Sequence, residues 1–494
     1  MKLFTFKGGV HPFDGKDLSA DQPLVRMESA PEMAFLLSQH IGAPAKAVVK
    51  KGDRVLRGQM LAQAGGFVSA PVFSSVSGKV TKIEKRRNAV GGMTDAVIVE
   101  NDGLDETVEF DALKGSEALA DISMSDDAFI AKVDELISHL TPEEIRKRIS
   151  DAGIVGMGGA GFPTHVKLTP KNPDEIEYIL VNAAECEPYI TCDDRLLQEN
   201  TRELRAGLRI VLSLFPQAKG YFCIEDNKPT AISILEKEVA SDDKILVAPC
   251  MTKYPEGAER SLIYAVTGRE VNSKMLPADA GCIVDNTATI FAIYEAVIFG
   301  KPLYERSFTF TGDAAAKPAN YIIPVGMTYA DIVEKAGGFK ADPEKIISGG
   351  PMMGFAQADL SAVATKTSSA LTCFTKDVIS PLQETPCINC GRCVSACPAR
   401  LVPSHLADMA ARKQYDKFEE HYGLECVNCG SCSWTCPAKR PLAALINTGR
   451  MTVLGMKRAA AAKAAAEKKA AEEKAAAQAA KAGGAPAAGA EKKG

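Results

Sequence analysis

At 494 residues the chain is too long for one compact core, and 46% hydrophobic with 24% charged residues is the composition of a soluble globular protein of several domains. A formal net charge of −4 offers no concentrated basic face, which argues against nucleic acid as a partner. The opening Met1-Lys2-Leu3-Phe4-Thr5-Phe6-Lys7-Gly8-Gly9 lacks an apolar signal core, and no stretch reaches the roughly 18 to 20 apolar residues that cross a bilayer. No secretory signal and no direct membrane span are therefore expected, and membrane association has to run through a partner.

After an N-terminal arm (1–30), residues 31–110 read as short strands and tight turns: 48–55 around Gly52-Asp53, then 58–62, then 77–83. The pattern resembles the flattened barrel of biotinyl and lipoyl carrier domains. Where such domains present a lysine at a hairpin, this chain has Gly65-Gly66-Phe67-Val68-Ser69-Ala70-Pro71, so a structural or assembly role is expected. A helix is predicted from 126 to about 140, and another from Thr141, where an N-cap threonine precedes Pro142, Glu143 and Glu144. Residues 174–285 alternate strands (178–181, 245–248, 281–285) with helices (204–215, 259–266), the signature of an open α/β sheet in a domain over 120–303. The apolar run 290–300, interrupted by Glu295, reads as a core helix. A smaller strand–helix–strand unit follows over 304–360, with 328–336 as its helix. A cysteine-rich region (375–450) comes next. From about Lys457 to 494 an Ala/Lys/Glu tail is expected to be an exposed helix ending in a disordered Gly/Ala/Pro stretch. Without Leu, Phe or Trp on one face it does not read as a membrane-surface helix.

Eight of the fourteen cysteines fall in two blocks, Cys387, Cys390, Cys393, Cys397 and Cys426, Cys429, Cys432, Cys436, each spaced C-x₂-C-x₂-C-x₃-C-P. This is the bacterial ferredoxin run, in which three thiolates wrap one [4Fe-4S] cube and the fourth cysteine ligates the other cube. One cluster is thus assigned to Cys387, Cys390, Cys393 and Cys436, the other to Cys426, Cys429, Cys432 and Cys397. A zinc pair would need only four ligands per site and has no use for a repeated x₃-C-P ending. Neither cluster has an open position, so together they form a relay. The pairs Asn389/Asn428, Gly391/Gly430 and Ala399/Ala438 mark an internal duplication. A secreted disulfide scaffold would be short and cysteine-dense throughout, so a reducing compartment is expected. Cys186, Cys192, Cys223, Cys250, Cys282 and Cys373 read as buried thiols.

Gly156-Met157-Gly158-Gly159-Ala160-Gly161-Phe162-Pro163-Thr164-His165-Val166-Lys167 formally contains G-x-G-x-x-G. The dinucleotide fingerprint needs a strand before it, whereas the preceding residues look helical. A loop this dense in glycine still lets backbone N–H groups close on a phosphate or a flat ring. Gly158 to Thr164 resembles the flavin loop of the NADH-binding flavoprotein of respiratory complex I. Asn182-Ala183-Ala184-Glu185-Cys186-Glu187-Pro188 and Val284-Asp285-Asn286-Thr287-Ala288-Thr289 resemble that family's second and third signatures. The resemblance implies FMN held by Gly156, Gly158, Gly159, Gly161, Lys167, Asn182, Glu185, Asn286 and Thr289. It also implies NAD(H) stacking near Phe162 with Glu187 near the nicotinamide ribose, and Glu259 as a weaker candidate. Two positions depart: Ala184 replaces an aspartate and Asp285 the first asparagine.

The whole order resembles the RnfC family of the Rnf complex, the ion-translocating ferredoxin:NAD⁺ oxidoreductase, beginning with Gly8-Gly9-Val10-His11-Pro12 and Lys16. The expected fold is multidomain α/β: a lipoyl-like barrel-sandwich domain, a complex-I-flavoprotein-like FMN/NADH domain, a small β-grasp domain and a helical double-[4Fe-4S] ferredoxin-like domain. The resemblance implies a peripheral NADH-dependent subunit on the cytoplasmic face of the inner membrane, with FMN and two clusters. Its partners would include an iron–sulfur subunit that exchanges electrons with ferredoxin. The alternative is a soluble reductase of the cobalamin-reductase type, similar only from the glycine loop onward. A third reading, a scaffold like relatives in the sodium-pumping NADH:quinone reductase, is opposed by the eight ferredoxin cysteines.

Overall fold

The computed structural model describes residues 3–482. The barrel region is a sandwich of two antiparallel sheets. One orders Glu32–Leu36, Met93–Asn101, Gly78–Arg87 and Arg54–Val55; the other orders Lys46–Ala47, Met60–Gln63 and Val72–Phe73. Alternation along these strands turns Val55, Leu61, Val72, Val80, Val97 and Val99 inward.

The next domain opens with the helices Asp126–Ser138 and Pro142–Asp151. The second starts on a reciprocal cap, in which Glu144 N donates to Thr141 Oγ1 (3.2 Å) and Thr141 N donates to Glu144 Oε2 (2.7 Å). A helix therefore leads into the glycine loop, and the ordinary dinucleotide fingerprint does not apply. Four parallel strands form the sheet in the order Ile245–Cys250, Lys219–Glu225, Tyr178–Ala183, Cys282–Asn286. Three of these match strands read from the sequence; Lys219–Glu225 was not among them. The helix Thr287–Phe299 is buried along nearly its whole length, as its predominantly apolar sequence, broken only by Glu295 after its first turn, demands. Chain order reverses between Tyr178–Ala183 and Cys282–Asn286. Such a reversal opens a crevice at the carboxyl ends of the strands, the place where open α/β sheets bind ligands.

The third sheet has six strands, ordered Leu24–Arg26, Ala319–Pro324, Glu305–Thr311, Ala370–Phe374, Lys345–Ser348 and Phe355–Ala356. It recruits chain from outside the predicted 304–360 unit: the arm strand Leu24–Arg26 pairs in parallel with residues 320–322, and Ala370–Phe374 fills the centre. Its helix, Tyr329–Lys335, is capped by Thr328.

The cysteine region is helical and packs Leu401, Leu406, Phe418, Leu442 and Ile446 into a small core of its own. Its duplication is visible in the backbone: Asn389 and Asn428 (φ 54° and 58°), Gly391 and Gly430 (73° and 79°), and Arg400 and Lys439 (54° and 53°) occupy matching left-handed positions. The last helix, Leu442–Ala482, begins well before the predicted tail. Leu442, Ile446 and Val453 anchor its first turns in the core, and from Gly455 onward its described side chains are exposed. The predicted disordered end falls on 483–494, outside the described residues. Among the described residues no helix is long and apolar enough to cross a membrane.

Candidate redox site

The glycine loop lies in the crevice where the sheet order reverses. Gly156 N donates to Phe162 O (2.8 Å) and Val155 bridges Pro163, so the segment between them is a closed loop. Met157 N donates to Thr289 Oγ1 (3.0 Å), and Arg306 Nη1 donates to Met157 O (3.2 Å), which pin its base to the helix Thr287–Phe299 and to the third sheet. Gly158 needs to be glycine: a Cβ there would stand 2.9 Å from Asn286 Cβ. Gly161, at φ 72°, would press a Cβ to 3.0 Å from Gln39 O of the barrel domain. Between them Gly158, Gly159 and Ala160 are exposed, and nothing lies within 4 Å of where a Gly159 Cβ would be. The loop tip therefore presents bare backbone beside the N-terminus of a 13-residue helix, a combination that suits a phosphate group and the edge of a flavin. Phe162 is half-buried next to it.

The polar side chains expected here fall around that crevice, and several are engaged with the protein itself. Asn286 caps the helix through Oδ1 (from Ala288 N, 3.0 Å) and donates through Nδ2 to Asp193 Oδ2 (2.6 Å). Asn182 Nδ2 donates to Gly257 O (2.8 Å). Lys167 Nζ donates to Val284 O (2.6 Å) and pairs with the fully buried Asp285 (3.1 Å). Burial alone pulls Lys167 down, but Asp285 and Glu259 outweigh it and hold the lysine above its usual range. Asp285, one of the two departures from the resembled signatures, thus takes up the charge expected to serve a phosphate.

Glu185 and Glu187 sit on the loop after Tyr178–Ala183. Glu185 is in a left-handed conformation (φ 46°) and accepts from Asp193 N at 2.7 Å. Burial pushes its carboxyl up to about 8, with Lys16 pulling the other way. Glu187 turns toward the third sheet and the cysteine region. Its Oε2 accepts from Met352 N (3.1 Å), and Tyr254 Oη donates to its Oε1 at 3.5 Å. Burial raises it to about 7 against those donors. Gly350 packs so closely that a Cβ there would be 2.2 Å from Glu187 Oε2.

The eight cysteines converge in two sets. Cys387, Cys390, Cys393 and Cys436 line one cavity of about 240 Å³; Cys397, Cys426, Cys429 and Cys432 line a second, tighter one. Each set draws three thiols from one block and the last from the other, which is the crossed arrangement expected. Each set brings four thiols to one cavity, the number of ligands a [4Fe-4S] cube takes, and all fourteen cysteines are free thiols. Backbone N–H groups already point at sulfur: Asn428 N at Cys426 Sγ and Leu401 N at Cys397 Sγ, both 3.4 Å. Of the six other cysteines, five are buried as expected, and Cys186 is half-buried, accepting from Gly257 N at 3.2 Å.

The two halves of the site meet through Tyr254 and Arg260, which sequence reading did not single out, and through the N-terminal arm, which it did. Tyr254 Oη donates to Cys429 O (2.7 Å), and Arg260 reaches Glu425 (2.9 Å). The arm threads the same seam: Gly9 N donates to Ala396 O (2.9 Å), while Val10 pairs with Tyr254. Lys16 is buried under the Glu185 loop. No local pattern marks Tyr254 or Arg260, because the contacts that join them to the cysteine region are distant in sequence.

Four family models match in order: the RnfC barrel sandwich hybrid domain over 4–104, the Nuo51 FMN-binding domain over 149–295, the SLBB domain over 308–356 and the 4Fe-4S dicluster domain over 386–440. The fold class expected from the sequence therefore holds. The chain is 41% identical to the RnfC protein of the Na(+)-translocating ferredoxin:NAD(+) oxidoreductase complex of Acetobacterium woodii, across 93% of this chain and 99% of that one. It is 42% identical to the corresponding protein of the proton-translocating ferredoxin:NAD(+) oxidoreductase complex of Clostridium ljungdahlii, across 85% and 88%. It is 37% identical to its counterpart in the ion-translocating oxidoreductase complex of Vibrio cholerae, across 85% of this chain and 52% of that longer one. A partial likeness to an NAD+-reducing [NiFe]-hydrogenase (18% identity, TM-score 0.46) covers 68% of this chain and 64% of that one. With a flavin-type domain and a dicluster domain behind the barrel that characterises the group, the chain belongs to the RnfC family of the ion-translocating ferredoxin:NAD⁺ oxidoreductase complexes.

Proposed function

We propose that this chain is the peripheral, NAD(H)-facing subunit of a membrane-bound ferredoxin:NAD⁺ oxidoreductase, seated on the cytoplasmic face of the membrane. Hydride is exchanged between NAD(H) and FMN, and single electrons pass along two [4Fe-4S] clusters to or from an iron–sulfur partner that deals with ferredoxin. FMN, when bound, supplies the conversion between a two-electron and a one-electron step. The chain's residues divide the remaining work. The backbone of Gly156, Gly158, Gly159 and Gly161 and the N-terminus of Thr287–Phe299 receive the phosphate and ring edge. Asn182, Asn286 and Thr289 hold the loops in register, Lys167 with Asp285 sets the local charge, and Glu185 completes the flavin cradle. Phe162 and Glu187 border the nicotinamide side. Cys387, Cys390, Cys393 and Cys436 ligate one cluster, and Cys426, Cys429, Cys432 and Cys397 the other.

The observation that carries the reading is the Glu187–Tyr254–Cys429 contact, which joins the flavin crevice directly to one cysteine set. It also gives the relay an order: the Cys429 set lies next to the flavin domain, and the Cys387 set, with Cys387 and Cys390 exposed, lies at the outside. The cobalamin-reductase alternative is set aside, because the matched barrel domain ahead of the flavin domain belongs to the RnfC family. An anaerobic NADH titration of the reconstituted chain, with iron, sulfide and FMN assayed, tests the reading. Two cubes' worth of iron with flavin bleaching by NADH is the expected result. A chain with full clusters that neither holds FMN nor responds to NADH would reduce the flavin-type domain to a scaffold.

A further inference from the structure

Resting on that reading, we propose that Lys16 of the N-terminal arm is a positioning residue for the flavin crevice. Its ammonium group fixes the turn that carries Glu185 and Glu187 and holds a positive charge at the crevice that would receive the flavin. Lys16 Nζ donates to Glu185 O (2.8 Å), Glu187 O (3.0 Å) and Ile190 O (2.5 Å), and lies 4.0 Å from Glu185 Oε2. Three carbonyl acceptors require three N–H donors, which only the protonated amine has. The geometry therefore specifies a cation, although burial by itself disfavours one and pulls the lysine below its usual range. What it holds is strained: Glu185 and Tyr189 both sit at positive φ, 46° and 71°. Non-glycine residues in that region persist only when their surroundings over-determine them.

The arm holds this side chain in place from both sides. Tyr189 N donates to Asp14 O (2.6 Å), and the hydroxyls of Ser19 and Thr191 meet at 2.7 Å, so the arm runs along the loop on both sides of Lys16. Gly15, at φ 56°, lies so close to the Tyr189 ring that a Cβ would stand 2.3 Å from it. A second buried lysine, Lys228, donates to Ala184 O (2.7 Å) just before the turn, but it has Glu225 3.6 Å away to balance it. Among the described residues the one carboxylate within ion-pair distance of Lys16 Nζ is that of Glu185, at 4.0 Å, with Glu225 acting from farther away. A cation without a full counter-charge beside a flavin favours the reduced, more negative form.

The test uses the full chain, reconstituted anaerobically with FMN and clusters. For Lys16→Met, iron content is expected to match the wild type. The flavin reduction equilibrium should shift toward the oxidised form by about tenfold, or about 30 mV for a two-electron couple. FMN should bind more weakly, and the KM for NADH should rise more than kcat falls. Lys16→Arg, which keeps the charge, should recover most of the potential. An unchanged potential and KM in Lys16→Met, or loss of the clusters together with the flavin, would overturn the proposal. Should Lys16→Met not fold, Gly15→Ala carries the test by lifting the arm off Tyr189 with the ammonium retained; an unchanged potential there has the same consequence. A wild-type chain that takes up no FMN would instead bring down the functional reading, and this inference with it.

Discussion

The two cysteine blocks have the same spacing and matching left-handed turns, yet they live in different surroundings. Cys429 and Cys432 are buried, and Cys429 packs with Tyr254, Val10 and Met352 in the seam against the flavin domain, whereas Cys387 and Cys390 are exposed and their neighbour Ile388 is 66% accessible. Spacing sets the ligand geometry, and the rest of the chain sets the dielectric around it. Since cluster potential depends on solvent exposure and on hydrogen bonds to sulfur, a duplicated motif can give two unequal clusters. On the proposed reading, the buried set sits at the flavin end of the relay and the exposed set is the one a partner would meet.

The largest expected effect comes from removing a ligand. Cys390→Ala should abolish the outer cluster, halving iron and sulfide, while NADH still bleaches the flavin; loss of flavin binding in that variant would contradict the separation of the two modules. Next in size is a kinetic contrast. Under oxidising conditions with a chelator, wild-type absorbance should decay in two phases of equal amplitude, and Cys390→Ala should show only the slower one. A single phase in the wild type would mean that the exposure difference has no chemical consequence.

Tyr254→Phe is a smaller perturbation. It removes the hydroxyl that donates to Cys429 O at 2.7 Å and should cost about 1 kcal/mol of stability. Electron exchange between flavin and inner cluster should slow several-fold with both cofactors retained. Unchanged exchange, followed by stopped-flow absorbance, would remove this contact from the account. A pH-dependent effect concerns Glu187, whose carboxyl is raised to about 7 in the fold by burial. The unfolded chain releases that proton near pH 4.5. The stabilisation is therefore complete below about pH 4.5 and is lost as pH rises to about 7. Relative to Glu187→Gln, the wild-type Tm should fall across that window by the equivalent of at most about 3 kcal/mol. A difference that does not vary with pH would show that Glu187 is not protonated in the fold.

Much of this was readable in the chain. The C-x₂-C-x₂-C-x₃-C-P repeats pointed to two crossed ligand sets, because in the bacterial ferredoxin run the fourth cysteine goes to the other cube. Thr141-Pro142-Glu143-Glu144 announced a helix ahead of the glycine loop, whereas the loop's place at the sheet's switch point emerged only from the fold. What stayed hidden is carried by contacts between residues hundreds of positions apart. Leu24–Arg26 enters a sheet whose other strands begin at Glu305, and Gly9 and Val10 bridge Ala396 and Tyr254. Lys16 is buried under a loop 169 residues away. Such pairings leave no periodicity in their own segments. Lys167 illustrates a different difficulty: its charge was legible, but not that Asp285 absorbs it.

The order of the relay is the central claim, and it is tested most directly by reducing Cys390→Ala and Cys429→Ala chemically, mixing each with NAD⁺, and following reoxidation of the surviving cluster. The account predicts that the inner cluster of Cys390→Ala is reoxidised at the wild-type rate, while the outer cluster of Cys429→Ala, cut off from the flavin, lags by orders of magnitude. Equal rates in the two variants, or a slower inner cluster, would contradict it.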